Sequence, residues 1–229
     1  MTEIQWSKSL LERGATILAD DEMTVPRKRV LNAGAGHMSA RGVAPAFRNG
    51  GWEEVRLDID PSVAPSVVGS ITEMKDFPDN CFDAVWSSHT LEHLFAHEVL
   101  RALRECKRVL KPDGFAIFMC PDLESVAEHL TRHGLDDVAY ESSAGPITAL
   151  DMLYGHQASV ARGRFSMAHK TGFTAERLGN LLLDAGFPTV HVRRDEHFEI
   201  CALALAENAD RERIQSELGS WAHQMMPSV

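Results

Sequence analysis

No stretch of this sequence is apolar for long. No window approaches the roughly 20 residues that a helical membrane span requires, so no such span is expected. The first 20 residues carry Glu3, Lys8, Glu12 and Arg13 among their apolar positions. They hold no uninterrupted apolar core of the kind a signal peptide needs. Cysteine is scarce. Cys81, Cys106, Cys120 and Cys201 are the only four, and none forms a C-x-x-C pair. That spacing argues against a zinc ribbon or a disulfide framework and for buried thiols in a reducing, cytoplasmic compartment. A long basic stripe is also missing. Arg27-Lys28-Arg29 is the one short cluster, in a chain of formal net charge -10 and pI about 5.5. Such a balance disfavours nucleic acid and anionic membranes as partners. Internal repeats and low-complexity segments are absent.

What remains is an ordinary globular composition, 44% apolar and 24% charged over 229 residues. The length suits one large α/β domain with room for a lid or insertion. Residues 4–18 have the spacing of an amphipathic helix, through Trp6, Leu10 and Leu18, and Pro26 ends that region. Residues 30–36, VLNAGAG, form an apolar strand running into a glycine turn, and a short helix is expected over 37–47. Residues 54–60 alternate as a second strand. Val67-Val68 is a brief third, and residues 82–88 a fourth. Residues 98–110 repeat apolar positions at helical spacing, Lys111-Pro112-Asp113-Gly114 reads as a stop, and residues 115–120 are a near-continuous apolar run typical of a strand covered on both faces. Helical spacing returns at 123–130. Residues 134–172 are polar and irregular, a length that usually signals function. Thr174 caps a further helix carrying Leu178, Leu181 and Leu182, closed by Gly186 and Pro188. Two strands, 189–192 and 198–206, lie close enough to pair antiparallel. A surface helix is expected over 208–229. The alternation of strand and helix predicts a mostly parallel seven-stranded sheet with helices on both faces and a C-terminal antiparallel hairpin.

Chemistry concentrates at the ends of the first two strands. Glycines in Asn32-Ala33-Gly34-Ala35-Gly36 let a ligand approach bare backbone, because no Cβ stands in the way. Asp58 ends the second strand, 22 residues beyond Gly36. A carboxylate there can accept hydrogen bonds from both hydroxyls of a ribose. Asp60 competes for that role but precedes Pro61 and suits a turn. A dinucleotide fingerprint needs a third glycine, and Ser39 occupies that place.

Five segments in order, VLNAGAG (30–36), VRLDIDP (55–61), DNCFDAVWSSHTLEHL (79–94), RVLKPDGFAIFMCPD (108–122) and HKTGFTAERLGNLLLDAGF (169–187), resemble the class I methyltransferases, in particular bacterial small-molecule and sugar-pathway enzymes. The resemblance spans about residues 30–206. It implies a Rossmann-like fold and S-adenosylmethionine as cofactor, left as S-adenosylhomocysteine. Asn32, Ala33, Gly34 and Gly36 would then line the methionine part of the cofactor, and Asp58 would hold the ribose. Ile59 would flank the adenine, Ser70 and Ile71 would meet its edge, and Ser87 would lie along the cofactor. Two positions depart from the family: Asn32 replaces a usual acid, and Ser70 replaces a common aspartate. The domain organisation implied is an N-terminal helix or lid over 1–25, a methyltransferase domain over 26–206 with a substrate-side insertion at 134–172, and a helical tail over 207–229.

Methyl transfer to a small molecule, at oxygen or nitrogen, is the expected activity. His89, past the fourth strand at the carboxyl edge, is the candidate general base, with a role in helix packing as the alternative. Glu92 and His93 read as structural. His89, His93 and His97 recur every four residues and would line one face of an unbroken helix, but Phe95 and the following turn interrupt it, and no metal is expected. In the insertion, Tyr154, His156, Arg164 and His169 are candidates to bind the methyl acceptor, with Lys170 beside Arg164 for an anionic group. The 4–18 helix either covers the cofactor or pairs with a second subunit to give a homodimer. The competing readings are an inactive methyltransferase-like binding module and an NAD(P)-dependent oxidoreductase.

Overall fold

A computed structural model describes residues 27–37, 43–142, 144–195 and 197–226. The expected helix at 4–18, and with it the proposed lid, lies outside the described residues.

Seven strands form one sheet. They are β1 (Lys28–Ala33), β2 (Trp52–Asp58), β3 (Val67–Val68), β4 (Phe82–Ser88), β5 (Leu110–Pro121), β8 (Thr189–Arg194) and β9 (Glu199–Leu205), in the order β3-β2-β1-β4-β5-β9-β8. The first five neighbours run parallel, and β9 pairs antiparallel with both β5 and β8. This is the predicted Rossmann-like sheet with its antiparallel end. A separate hairpin joins β6 (Val138–Ser142) to β7 (Gly145–Thr148).

The sheet is covered on both faces because its strands are apolar on both. Phe115, Ala116, Ile117 and Phe118 of β5 are all fully buried. On one face, Leu31, Val85 and Phe118 pack under α1 (Ala96–Val109) and α5 (Ala175–Asp184) through Leu103, Leu178 and Leu182. On the other, Val30, Trp86, Phe115 and Ile117 meet α6 (Arg211–Leu218) and α7 (Ser220–Met225) through Ile214, Leu218 and Met225. Burying a side chain of this size stabilises the fold by about 1.5–3 kcal/mol relative to exposure. Local chemistry sets the helix starts. The Glu98 carboxylate accepts the Phe95 N–H at 2.9 Å ahead of α1, and the Thr174 hydroxyl accepts the Arg177 N–H ahead of α5.

Several expectations change. Lys111–Gly114 does not stop the chain: β5 already starts at Leu110 and runs through it. Gly114 permits this, because a Cβ there would lie 2.8 Å from the Asp83 carbonyl of the neighbouring strand. Over the expected helix 37–47, the described part holds only a 3-10 turn, Pro45–Arg48. The irregular stretch 134–172 contains β6, β7, α3 (Ala149–Tyr154) and α4 (Gln157–Ala161). The tail is two helices broken at Gly219, with Ile214, Leu218, Ala222 and Met225 buried, not one surface helix. α2 (Leu123–His133) extends one turn past the predicted 123–130. Among the described residues no helix is long and apolar enough to cross a membrane. All four cysteines are free, and burial pushes the thiols of Cys106 and Cys201 up to about 12, which keeps them unreactive.

Candidate active site

β1 and β2 are parallel neighbours, so their carboxyl ends emerge side by side. The bend after β1 is tied to β2 by backbone: the Gly34 and Ala35 N–H groups both donate to the Leu57 carbonyl, at 2.9 and 3.0 Å. The Gly36 N–H then donates to Asp58 Oδ2 at 2.8 Å, while Asp58 Oδ1 accepts the Asp60 N–H at 2.9 Å. Glycine is required at this bend for two different reasons. Gly34 has φ +78°, and a Cβ on it would lie 2.1 Å from the Thr90 hydroxyl. Gly36 has φ +57° with open space where its Cβ would be. The bend is therefore closed on the Thr90 side and open at Gly36. Ala33 is fully buried, and its carbonyl accepts the Thr90 hydroxyl at 3.2 Å.

Asp58 is half-buried, and each of its oxygens keeps a lone pair beyond these two bonds. Next to it Ile59 is 59% exposed, an apolar side chain standing free at the edge. Asp60 accepts the Ser62 N–H and caps the 3-10 turn Pro61–Val63, and these hydrogen bonds lower its pKa. Asn32 is buried and donates its amide to Glu54 Oε1 at 2.7 Å, so its side chain is committed to the neighbouring strand. The Ser70 hydroxyl closes a turn onto Thr72, contacting its hydroxyl at 2.8 Å, and Ile71 is in the core. That leaves backbone, not the Ile71 side chain, to face any ligand there. Ser87 is buried, and its hydroxyl has no hydrogen-bond partner among the described residues.

His89 follows β4 with φ +52°, a left-handed conformation uncommon for a residue with a Cβ. Its Nδ1 lies 3.2 Å from Glu92 Oε1 and its Nε2 3.0 Å from Glu199 Oε1. Burial disfavours the charged ring, but the hydrogen bonds and charges of Glu199 and Glu92 outweigh it and push the pKa up to about 10. In the same way His89 holds the Glu92 carboxyl below its usual value, against the opposing effect of burial. The environment expected of a base, a neutral ring with one nitrogen free, is not what surrounds His89. Both nitrogens already face carboxylates. Nor do His89, His93 and His97 share a face. Leu91–His93 is a 3-10 turn, α1 begins only at Ala96, and the His97 ring stacks on Phe95.

The insertion candidates divide. The His169 Nδ1 bonds the Met152 carbonyl at 2.9 Å, its ring packs on His93, and burial lowers its pKa. Lys170 donates its ammonium to the His93 carbonyl. These two residues pin the end of the insertion to the turn after β4. His156 precedes α4, and its Nδ1 lies 2.8 Å from the Ser159 hydroxyl. Tyr154 and Arg164 are exposed, and the charge of Arg164 contributes to lowering the pKa of Asp60.

Two participants, Thr90 and Glu199, were not foreseen, and Glu92 was read only as structural. Thr90 and Glu199 carried no local signal, since each acts on a residue far away in the chain. The Glu92 oxygen bound to His89 is three residues away and was recognisable only as a structural candidate. One surface depression, lined by Thr72, Arg101 and Arg104, adjoins the Ser70 turn. Another, of about 400 Å³, is lined by Asn80, Lys107, Leu110 and Ala206 at the opposite edge of the sheet.

Residues 31–118 match the sequence model of a methyltransferase domain family. The structure is similar to 1,6-didemethyltoxoflavin-N1-methyltransferase from Burkholderia thailandensis, solved with 1,6-didemethyltoxoflavin and S-adenosylhomocysteine. That likeness has 18% identity and a TM-score of 0.51 and covers 80% of this chain and 72% of that one. It is also similar to the PH0226 protein from Pyrococcus horikoshii OT3, at 18% identity and a TM-score of 0.55, over 79% of this chain and 82% of that one. At these identities the two structures show a shared fold. No curated protein matches the sequence. The domain match and the sheet order together support a Rossmann-like, S-adenosylmethionine-dependent methyltransferase. The match supports methyl transfer with S-adenosylmethionine as the cofactor.

Proposed function

We propose that this enzyme methylates a nitrogen or oxygen of a small molecule. The observation carrying the reading is the 2.8 Å bond from Gly36 to Asp58, which joins an open glycine bend and a carboxylate at one sheet edge beside an exposed Ile59. These groups fit an adenosyl ligand. The bend offers bare backbone, Asp58 has lone pairs for two hydroxyls, Ile59 offers an apolar surface for a base, and the buried Ser87 hydroxyl lacks a partner among the described residues. In this reading Asn32, Ala33, Gly34 and Gly36 line the methionine end. Asp58 holds the ribose, Ile59 and the Ser70-Ile71 turn border the adenine, and Ser87 lies along the ligand.

The cofactor supplies a methyl group already activated by a positive sulfur. The protein's task is then to align the acceptor and exclude water. With both ring nitrogens engaged by carboxylates, His89 orients the acceptor side and does not take the acceptor's proton. That suits a nitrogen, or an oxygen that ionises readily, as the attacking atom. Tyr154, His156 and Arg164 form the acceptor side, and His169 fixes the end of the insertion. The net charge of -10 supports a small acceptor over a polyanion, and the four free thiols support a reducing, cytoplasmic setting.

Isothermal titration with S-adenosylhomocysteine and with NAD tests the cofactor site. Binding of the first and none of the second is expected, and silence toward S-adenosylhomocysteine overturns the reading. Transfer of labelled methyl in a lysate tests the acceptor. Label in the small-molecule fraction is expected, and label confined to nucleic acid or protein overturns it.

A further inference from the structure

Three metal-ligating side chains meet where the insertion returns to the sheet. Glu92 and His93 sit in the turn after β4, and His169 near the end of the insertion. One ligand atom from each lies within 4.8 Å of the others. The two imidazole rings pack edge to face, 4.9 Å between centroids.

Hydrogen bonding decides which atoms are on offer. His93 Nδ1 lies 3.2 Å from the Ala168 carbonyl, and His169 Nδ1 lies 2.9 Å from the Met152 carbonyl. A carbonyl only accepts, so both Nδ1 atoms carry the proton, and each neutral ring presents Nε2 with a lone pair. Metal-binding histidines are oriented in this way, by giving their other N–H to a backbone carbonyl. The carboxylate adds an independent sign. Glu92 is 1% exposed, its Oε1 is taken by His89, and its buried Oε2 has no hydrogen-bond partner among the described residues. A buried carboxylate oxygen without a donor is costly and rare, and a cation would satisfy it.

We propose that Glu92, His93 and His169 form a site for one zinc ion. Two imidazole nitrogens and one carboxylate oxygen are a donor set zinc takes, whereas calcium and magnesium prefer oxygen alone. Donors about 2.0–2.2 Å from a shared zinc stand roughly 3.4 Å apart, so side-chain shifts of about 1 Å close the set. The backbone already holds the two segments together: the Lys170 N–H donates to the Glu92 carbonyl at 2.8 Å, and the His169 N–H to the Tyr154 carbonyl at 3.1 Å. The ion would bind the end of the insertion to the turn after β4, one residue contact away from His89, and would keep a fourth position for water. The regular His89, His93, His97 spacing does not foretell this set, because two of its members come from other parts of the fold or of the turn.

The test uses the untagged full-length chain, stripped with EDTA and titrated with zinc chloride in competition with a chromophoric chelator. One zinc per chain is expected. His169→Gln and His93→Gln should each weaken binding at least about tenfold, the scale seen when a metal site loses support. Far-UV circular dichroism checks that both variants stay folded, and His93→Gln serves if His169→Gln does not. Cobalt(II) in place of zinc should give visible bands of a nitrogen-ligated, low-coordinate site that vanish in either variant. Failure of the wild-type chain to take up zinc overturns the proposal, whatever the variants do. Uptake that folded His169→Gln or His93→Gln leaves unchanged overturns it as well.

Discussion

Nε2 of His89 lies 3.0 Å from Oε1 of Glu199, which ties the end of β4 to the start of β9 across the intervening β5. The contact holds His89 in its left-handed backbone conformation, which costs a residue with a Cβ about 1 kcal/mol or more. Glu199→Gln keeps the shape and an acceptor, and should lower stability by about 1 kcal/mol. Glu199→Leu removes the partner outright and should cost about 2–3 kcal/mol. Denaturant unfolding measures both, and two variants as stable as wild type would show that the contact contributes nothing.

Gly34 and Gly36 both have positive φ, yet only Gly34 is crowded. Gly36→Ala should therefore cost only the conformational penalty, about 1–2 kcal/mol. Gly34→Ala adds the clash with Thr90 and should cost clearly more. Combining Gly34→Ala with Thr90→Ala should recover part of the difference. Equal stabilities for the two single variants would refute the crowding.

Asp58→Ala should weaken S-adenosylhomocysteine binding by about 1–3 kcal/mol, the scale for removing a charged hydrogen-bond partner. Titration calorimetry reads this directly as a Kd raised roughly fivefold to 160-fold. Part of the loss comes through the bend, because the Gly36 and Asp60 N–H groups lose their acceptor. An unaltered Kd would mean that the ribose sits elsewhere.

Asn32 stands where the resemblance leads one to expect an acid, and its amide donates to Glu54 at 2.7 Å. Asn32→Asp would bring two carboxylates face to face and lose a hydrogen bond to a charged group. A destabilisation of about 1–3 kcal/mol near neutral pH is expected. Adding Glu54→Gln should restore most of it. If Asn32→Asp unfolds at the wild-type denaturant midpoint, the Asn32–Glu54 bond is not a structural one.

Much of the frame is legible along the chain. Alternation through Val55 and Leu57, the unbroken apolar run at 115–118 and the Thr174 cap all depend on neighbours a few residues away, and each appears in the fold, although β2 spans Trp52–Asp58 instead of 54–60 and leaves Ile59 exposed. The glycine bend and Asp58 are legible for the same reason, since each marks a strand end. The misreadings share a cause. Lys111–Gly114 has turn chemistry, and the β4 register breaks there between Leu110 and Phe115, but β5 continues through it as a strand. Residues 211–226 look polar enough for the surface, yet their apolar side is needed to cover Trp86 and Phe115.

Where the strands fall along the chain, the glycine bend and the acid beside it were determined by the sequence alone, because periodicity, glycine and turn residues act over a few bonds. Whether His89 has a free nitrogen, where the Asn32 amide points and which histidines meet were decided only by the tertiary structure. Those answers depend on Glu199, Glu54 and His169, side chains that folding delivers from 110, 22 and 76 residues away, and no local pattern encodes such distances.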